Sequence, residues 1–159
     1  ETGTISKTPE AAEEIISEAV MKFRRRYDVP VEITIPDELM LIPMDAILIE
    51  QVIVNLLENS VLHGKTTTLI KLTLSSDGEN AVFSVTDNGS GINEKKLPML
   101  FSGYFIHAEE QSGDVKRNMG IGLSVCLTII KAHGGTMTAG NLPEGGAEFT
   151  FTLPLERAL

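Results

Sequence analysis

The sequence predicts a two-layer α/β sandwich, with three main helices on one face of a mixed, mostly antiparallel sheet. Three observations predict it. Apolar residues recur at helical spacing in three separate segments, residues 9–27, 45–63 and 122–133. Five short stretches, residues 31–35, 67–74, 81–86, 136–139 and 147–153, are rich in β-formers or alternate with period two. Two of the connections between these stretches, Asp77-Gly78 and Asn141-Leu142-Pro143-Glu144-Gly145-Gly146, carry hairpin turn chemistry, so neighbours in sequence pair antiparallel. Amphipathic helices and a half-buried sheet bury their apolar sides by stacking on one another.

Taken in order, residues 9 to 27 form the first helix. Pro9 suits its first turn, Glu10, Glu13 and Glu14 favour its start, and Ile15, Ile16, Ala19, Val20 and Phe23 make its apolar stripe. Asp28 and Pro30 end it, and the cluster Lys22, Arg24, Arg25 and Arg26 reads as a solvated helix end. Val31 to Ile35 is a half-buried strand, and Pro36 and Pro43 bracket an extended piece around Leu39 to Ile42. Asp45 caps the second helix, which runs to His63 and stops at Gly64. Thr67 to Leu74 and Ala81 to Thr86 form a hairpin that delivers Asp87 at the end of a central strand. From Asn93 to Asn118 the pattern weakens. Leu97 to Phe101 suits a short helix, whereas Ser102-Gly103 and Glu109 to Lys116 are polar and rich in breakers, as in a functional lid or a disordered connection. Gly122 to His133 is a mostly buried helix closed by Gly134-Gly135, with His133 read as a residue favouring positive charge at the helix C-terminus. In the last strand Ala147, Phe149, Phe151 and Leu153 face the core. Residues 1–8 read as a flexible start or an expression scar, and residues 9–159 as one domain.

Composition narrows the function. A chain of 159 residues can bury one real core. No apolar run approaches the roughly 20 residues of a membrane helix, and the first seven residues lack the apolar centre of a signal peptide. A single cysteine, Cys126, excludes an internal disulfide and fits a reducing compartment. A net charge of -9 argues against nucleic acid as the main partner, since phosphate backbones reward clustered Lys and Arg.

Three motifs carry chemistry. Asn55 and Asn59 lie four residues apart in an otherwise apolar helix, although Asn is a mediocre helix former and costly to bury unpaired. The bland alternative is a pair of amides satisfied by nearby backbone. Asp87-Asn88-Gly89-Ser90-Gly91-Ile92 places a carboxylate at a strand end, where it can accept from an exocyclic amino group, beside glycines that let the backbone approach a ring. A turn-forming Asp is the alternative there. Asn118-Met119-Gly120-Ile121-Gly122-Leu123 precedes a helix whose free N–H groups suit a phosphate, or else forms a tight turn.

In this order, an asparagine helix, an Asp-x-Gly-x-Gly turn and a Gly-x-Gly loop resemble the ATP-binding set of sensor histidine kinases, DNA gyrase, Hsp90 and MutL. The run Asn55-Leu56-Leu57-Glu58-Asn59 is similar to the histidine-kinase branch. The resemblance spans residues 9 to 155 and implies the Bergerat form of the sandwich, with ATP and Mg2+ bound. It implies catalytic roles for Asn55 and Asn59, with the Asn59 carbonyl as a hard-oxygen ligand for Mg2+. It assigns ATP binding to Asn55, Asn59 and His63 of the helix, to Asp87, Gly89, Gly91 and Ile92 of the turn, and to Phe101. From the second loop it adds Arg117, Gly120, Ile121, Gly122 and Leu123. The gyrase-like relatives carry a glutamate base where this chain has Asn55. An amide cannot take that proton, so transfer to a protein acceptor is favoured over steady hydrolysis. Glu58 points elsewhere, toward solvent or a partner.

Phe101, Tyr104 and Phe105 resemble an aromatic lid box. The chain departs from the family pattern at Leu62, where a lysine is usual, at Ile106-His107, where a basic residue is usual, and at Asn118, where a glycine is usual. Lys65, Lys116 and Arg117 are candidates to compensate, as an acidic protein needs for a triphosphate. His107 reads as a lid surface residue. No histidine sits in a His-Glu helical repeat, so the accepting histidine is expected on a separate dimerisation helical domain of the same full-length kinase, with a response regulator downstream and no nucleic acid. The domain is expected in the cytoplasm and the full-length protein at the membrane. An anti-sigma-type serine kinase, a gyrase- or MutL-type ATPase and a degenerate nucleotide-binding module are the alternatives.

Overall fold

The computed structural model describes residues 5–64, 66–101 and 114–155, and the side chains of these except 63, 64 and 114–121. Chain order is β1 (Thr8–Ala11), α1 (Ala12–Arg24), β2 (Val31–Thr34), β3 (Leu41–Met44), α2 (Ala46–Gly64), β4 (Ile70–Ser76) and β5 (Asn80–Asp87). A 3-10 turn at Leu97–Met99, α3 (Asp114–Ala132), β6 (Met137–Asn141) and β7 (Ala147–Pro154) follow. Five strands form one sheet in the order β2-β4-β5-β7-β6, parallel between β2 and β4 and antiparallel elsewhere. The expected mixed sheet and its helical layer are thus both present.

Period two decides which face is buried. Ile70, Leu72 and Leu74 of β4, Ala81, Phe83 and Val85 of β5, and Phe149, Phe151 and Leu153 of β7 turn into the core, while the residues between them do not. Phe83 and Phe151 lie opposite in register and stack with centroids 4.5 Å apart. Against this face, α2 lies between α1 and α3, and Ile49, Val52, Ile53, Leu56 and Leu57 are completely buried. A helix packed on both flanks and against a sheet has little polar stripe to spare, which makes its buried asparagines conspicuous.

Several expectations need correction. Pro9 is not in a helical first turn but in β1, which pairs antiparallel with β3 and sets Pro9 opposite Pro43. Neither proline can donate to a ladder, so the pair occupies a position whose N–H sites face outward. The helix then starts at Ala12, whose N–H donates to the Met40 carbonyl at 3.0 Å. It ends at Arg24, three residues before the expected limit. Lys22 pairs with Glu50 and Arg26 with Glu58 at 3.0 Å, so part of the basic cluster bridges α1 to α2. Glu58 therefore reaches Arg26, in the turn that follows α1. Such partly exposed pairs contribute about 0–1 kcal/mol each.

The third helix begins at Asp114, eight residues before Gly122, so Gly120, Ile121 and Gly122 lie inside it and not in a loop ahead of it. A glycine in a helix costs only about 1 kcal/mol relative to alanine, and Lys116, Arg117, Met119 and Leu123 are good helix formers. Its far end is closed by Gly134 at φ 80, with Gly134 N–H donating to Lys131 and Gly135 N–H to Ile130.

His133 is not a cationic end residue. It is 2% exposed, its Nε2 accepts the Asp45 N–H at 3.0 Å, and Nδ1 lies 2.9 Å from the Ile129 carbonyl. The acceptor role of Nε2 places the proton on Nδ1, donating to Ile129. Burial pushes the imidazole below its ordinary value, outweighing the Ile129 hydrogen bond. Asp45 also caps α2 as expected, accepting the Leu48 N–H at 3.5 Å.

Candidate functional site

The site grows from two polar residues on α2. Asn59 is 3% exposed, and its Nδ2 donates to the Asn55 carbonyl at 2.7 Å. That bond satisfies one end of the amide, as the bland reading required. The other end, Oδ1, is buried and has no hydrogen-bond partner among the described residues. One turn earlier, half-buried Asn55 donates from Nδ2 to the Sγ of Cys126 on α3, at 3.6 Å. Gly122, one turn before Cys126, abuts the same amide: a Cβ there would lie 3.5 Å from Nδ2. α3 thus lies against Asn55 at Gly122, at a distance that leaves room for a methyl group. Burial pushes the Cys126 thiol up to about 12, so it stays protonated and serves as packing and acceptor.

The second half is the turn after β5. Asp87 is 5% exposed; its Oδ1 accepts the Gly89 N–H at 2.8 Å and the Ala147 N–H at 3.3 Å. Its Oδ2 is buried without a partner among the described residues. Gly91 takes φ 83, a conformation other residues rarely adopt, and Ile92 beyond it is buried. Asn88 accepts the Thr68 and Leu69 N–H groups at 2.9 and 3.1 Å, and Thr67 Oγ1 donates to the Ser60 carbonyl at 2.8 Å. The segment from Thr67 to Leu69 thereby ties the Asp87 turn to the end of α2.

An unpaired buried acceptor costs about 1–3 kcal/mol, so two of them, one on α2 and one at the end of β5, point to a ligand that completes them. A lone carboxylate oxygen suits an N–H donor. A lone amide oxygen suits a hard cation, and Asn59 fits Mg2+ in this respect. Among the described residues no group of three or more His, Cys, Asp and Glu is placed to hold a metal. A divalent ion here would rest on Asn59 together with phosphate and water oxygens.

Of the residues singled out in the sequence, the structure joins Asn55 to Gly122 across the α2–α3 contact, and Asn59 to Asn55 within α2. It gathers Asp87, Gly89, Gly91 and Ile92 at the strand end. Leu123 is fully buried, and Phe101 is half-buried against the core. His63, Arg117, Gly120 and Ile121 have helical backbone, and their side chains lie outside the description. Lys65, Tyr104, Phe105, Ile106 and His107 lie outside the described residues, as do residues 102–113 of the expected lid. Sequence reasoning missed Cys126 as a neighbour of Asn55, and it read the connection between β6 and β7 as a hairpin turn without placing it at the site. There Asn141 hydrogen-bonds the Ile92 backbone, and Gly146, at φ 100, lies so close that a Cβ would fall 1.9 Å from the Asp87 carbonyl oxygen. The Gly145-Gly146 pair was the available signal, and it read only as a turn.

Residues 44–157 match the family described as histidine kinase-, DNA gyrase B- and HSP90-like ATPase. The chain is 36% identical over 153 residues to the sensor protein KdpD of Clostridium acetobutylicum, across 96% of this chain and 17% of that protein. It is 39% identical over 124 residues to the adaptive-response sensory kinase SasA of Microcystis aeruginosa, across 77% of this chain and 32% of that one. The chain therefore spans a minor part of the length of these relatives. Among solved structures, the catalytic domain of histidine kinase ThkA superposes with a TM-score of 0.80 at 26% identity, over 95% of this chain and 97% of that one. The ATP binding domain of PrrB from Mycobacterium tuberculosis shares the fold, with a TM-score of 0.76 at 24% identity, over 96% and 99% of the two chains.

Proposed function

Because the chain belongs to the histidine kinase-, DNA gyrase B- and HSP90-like ATPase family, matching it over residues 44–157, we propose that it is the ATP-binding catalytic domain of a two-component sensor histidine kinase. The observation that carries this reading is the pair of unfilled buried acceptors, Asp87 Oδ2 and Asn59 Oδ1. Asp87 accepts from the exocyclic amino group of adenine with Oδ2 while Oδ1 stays anchored to Gly89 and Ala147. Asn59 offers Oδ1 to Mg2+, an ion that when bound neutralises phosphate charge and orients the γ-phosphoryl group. Asn55, braced by Cys126 and Gly122, lies one turn away and contacts the phosphates or the water around the ion. It has no basic group with which to activate water, which supports transfer to a protein acceptor.

That acceptor is a histidine on a separate helical dimerisation domain of the same kinase, and a response regulator receives the phosphoryl group next. Within the full-length, membrane-anchored protein this domain faces the cytoplasm, where ATP is found. The test of the base-reading step is the affinity for ATP and GTP in the parent protein and in Asp87→Asn. ATP is expected to bind the parent more tightly, and the variant to lose about 1.5–3 kcal/mol, the worth of a charge-assisted hydrogen bond. Equal binding of ATP and GTP by the parent would remove Asp87 from base recognition.

A further inference from the structure

We propose that Asn141, at the end of β6, is a positioning residue for base recognition: it sets the Gly91–Ile92 wall of the site against the Asp87 carboxylate. This rests on the adenine-reading role of Asp87 argued above. Asn141 is an exposed side chain, yet both of its polar atoms are committed to one residue 49 positions away. Oδ1 accepts the Ile92 N–H at 2.7 Å, and Nδ2 donates to the Ile92 carbonyl at 2.8 Å. A single amide thus pairs with both sides of Ile92, as a neighbouring strand would. The approach is close enough to dictate its surroundings. A Cβ on Gly91 would lie 2.8 Å from the Asn141 Oδ1, so the glycine and the clamp are matched.

The same turn holds the other end of the segment. Ala147 donates to Asp87 Oδ1, Gly146 abuts the Asp87 carbonyl, and the Leu142 N–H donates to the Gly146 carbonyl at 2.9 Å. The β6–β7 turn therefore grips residues 87 to 92 at both ends and fixes their spacing. Reading a flat base with one carboxylate oxygen demands such fixed spacing, because a displaced acceptor loses its directional bond. The sheet does not need the clamp for its own pairing, since Asn141 is already in register with Ala147 through the backbone.

The experiment measures ATP and GTP affinity, together with the thermal midpoint, for the parent protein, Asn141→Ala, Asn141→Asp and Asp87→Asn. Asn141→Ala is expected to stay folded with a lowered midpoint, since it removes two hydrogen bonds to the Ile92 backbone. Its ATP affinity should fall roughly tenfold, the scale of a lost hydrogen bond, with the ATP-to-GTP ratio moving toward that of Asp87→Asn. Asn141→Asp keeps an acceptor for the Ile92 N–H but turns a carboxylate oxygen toward the Ile92 carbonyl, so its ratio should fall as well. Should Asn141→Ala not fold, the ratio in Asn141→Asp decides. A parent-like ratio in Asn141→Ala, or in Asn141→Asp where Ala does not fold, alongside a ratio abolished in Asp87→Asn, overturns the positioning role and leaves Asp87 as base reader. A parent that does not distinguish ATP from GTP overturns both.

Discussion

Asn59 shows how one amide can be both satisfied and available. Its Nδ2 is used up on the Asn55 carbonyl, which fixes the rotamer, and that bond is what leaves Oδ1 pointing away with no partner among the described residues. Replacing Asn59 by Ala removes the free oxygen without adding bulk. Nucleotide affinity is then expected to fall far more in the presence of Mg2+ than in its absence. Titration of a fluorescent ATP analogue with and without the ion checks this, and equal losses would remove Asn59 from the metal shell. The result expected for Asn59→Asp is similar, because the geometry that anchors the amide needs a donor at the Nδ2 position.

At the scale of elements, the glycines divide by what surrounds them. Gly122 has ordinary helical backbone, and a Cβ there meets Asn55 only at van der Waals distance. Gly122→Ala should therefore raise stability by roughly 0.5–1 kcal/mol in a denaturant titration, through better helix propensity. Gly146→Ala should do the opposite, costing at least about 2 kcal/mol, since it adds left-handed strain to a Cβ placed 1.9 Å from the Asp87 carbonyl oxygen. The junction of α2 and α3 carries a further prediction. His133 is neutral and buried when folded, with Lys7 and Asp45 as the charged groups that act on it, Lys7 lowering and Asp45 raising its proton affinity. Its folded pKa lies below the ordinary value of 6.5, so the unfolded chain binds the proton first as pH falls. The stability it contributes is complete above 6.5 and is lost as pH falls through that value toward the lowered one. Urea midpoints at pH 7.5 and 5.5 should differ less in His133→Gln than in the parent.

For the whole molecule, the consequence concerns where the phosphoryl group goes. The histidine with a described side chain, His133, is buried and hydrogen-bonded through both nitrogens, which suits structure and not phosphoryl acceptance. As none of the three histidines sits in a His-Glu helical repeat, incubation of this chain alone with γ-labelled ATP is expected to leave it unlabelled, whereas a histidine-bearing helical domain from the same gene should acquire label when added. Label on this chain alone, on serine or histidine, would overturn that division of labour. Its net charge of -9 makes the local arrangement important: the two acceptors identified attract a cation and an N–H donor, and they repel bare phosphate.

The helical layer, the hairpins and the Asp87 turn were legible because each is written locally. Helical spacing around Asn55 and Asn59, alternation in β5 and β7, and turn residues at Asp77-Gly78 report a residue's own environment within a few positions. What escaped is decided between distant segments. The strand at Thr8–Ala11 exists because Leu41–Met44 lies beside it, and its proline looked like a helix start. The start of α3 depended on a helix running through two glycines. The contacts of Asn141 with Ile92, Asn55 with Cys126 and Asp45 with His133 span 49, 71 and 88 residues. Composition and periodicity say that a polar group is buried; only the packed chain says which of its atoms finds a partner. That difference separates the Asn59 amide, foreseen in the sequence, from its one free oxygen, which the fold alone determines.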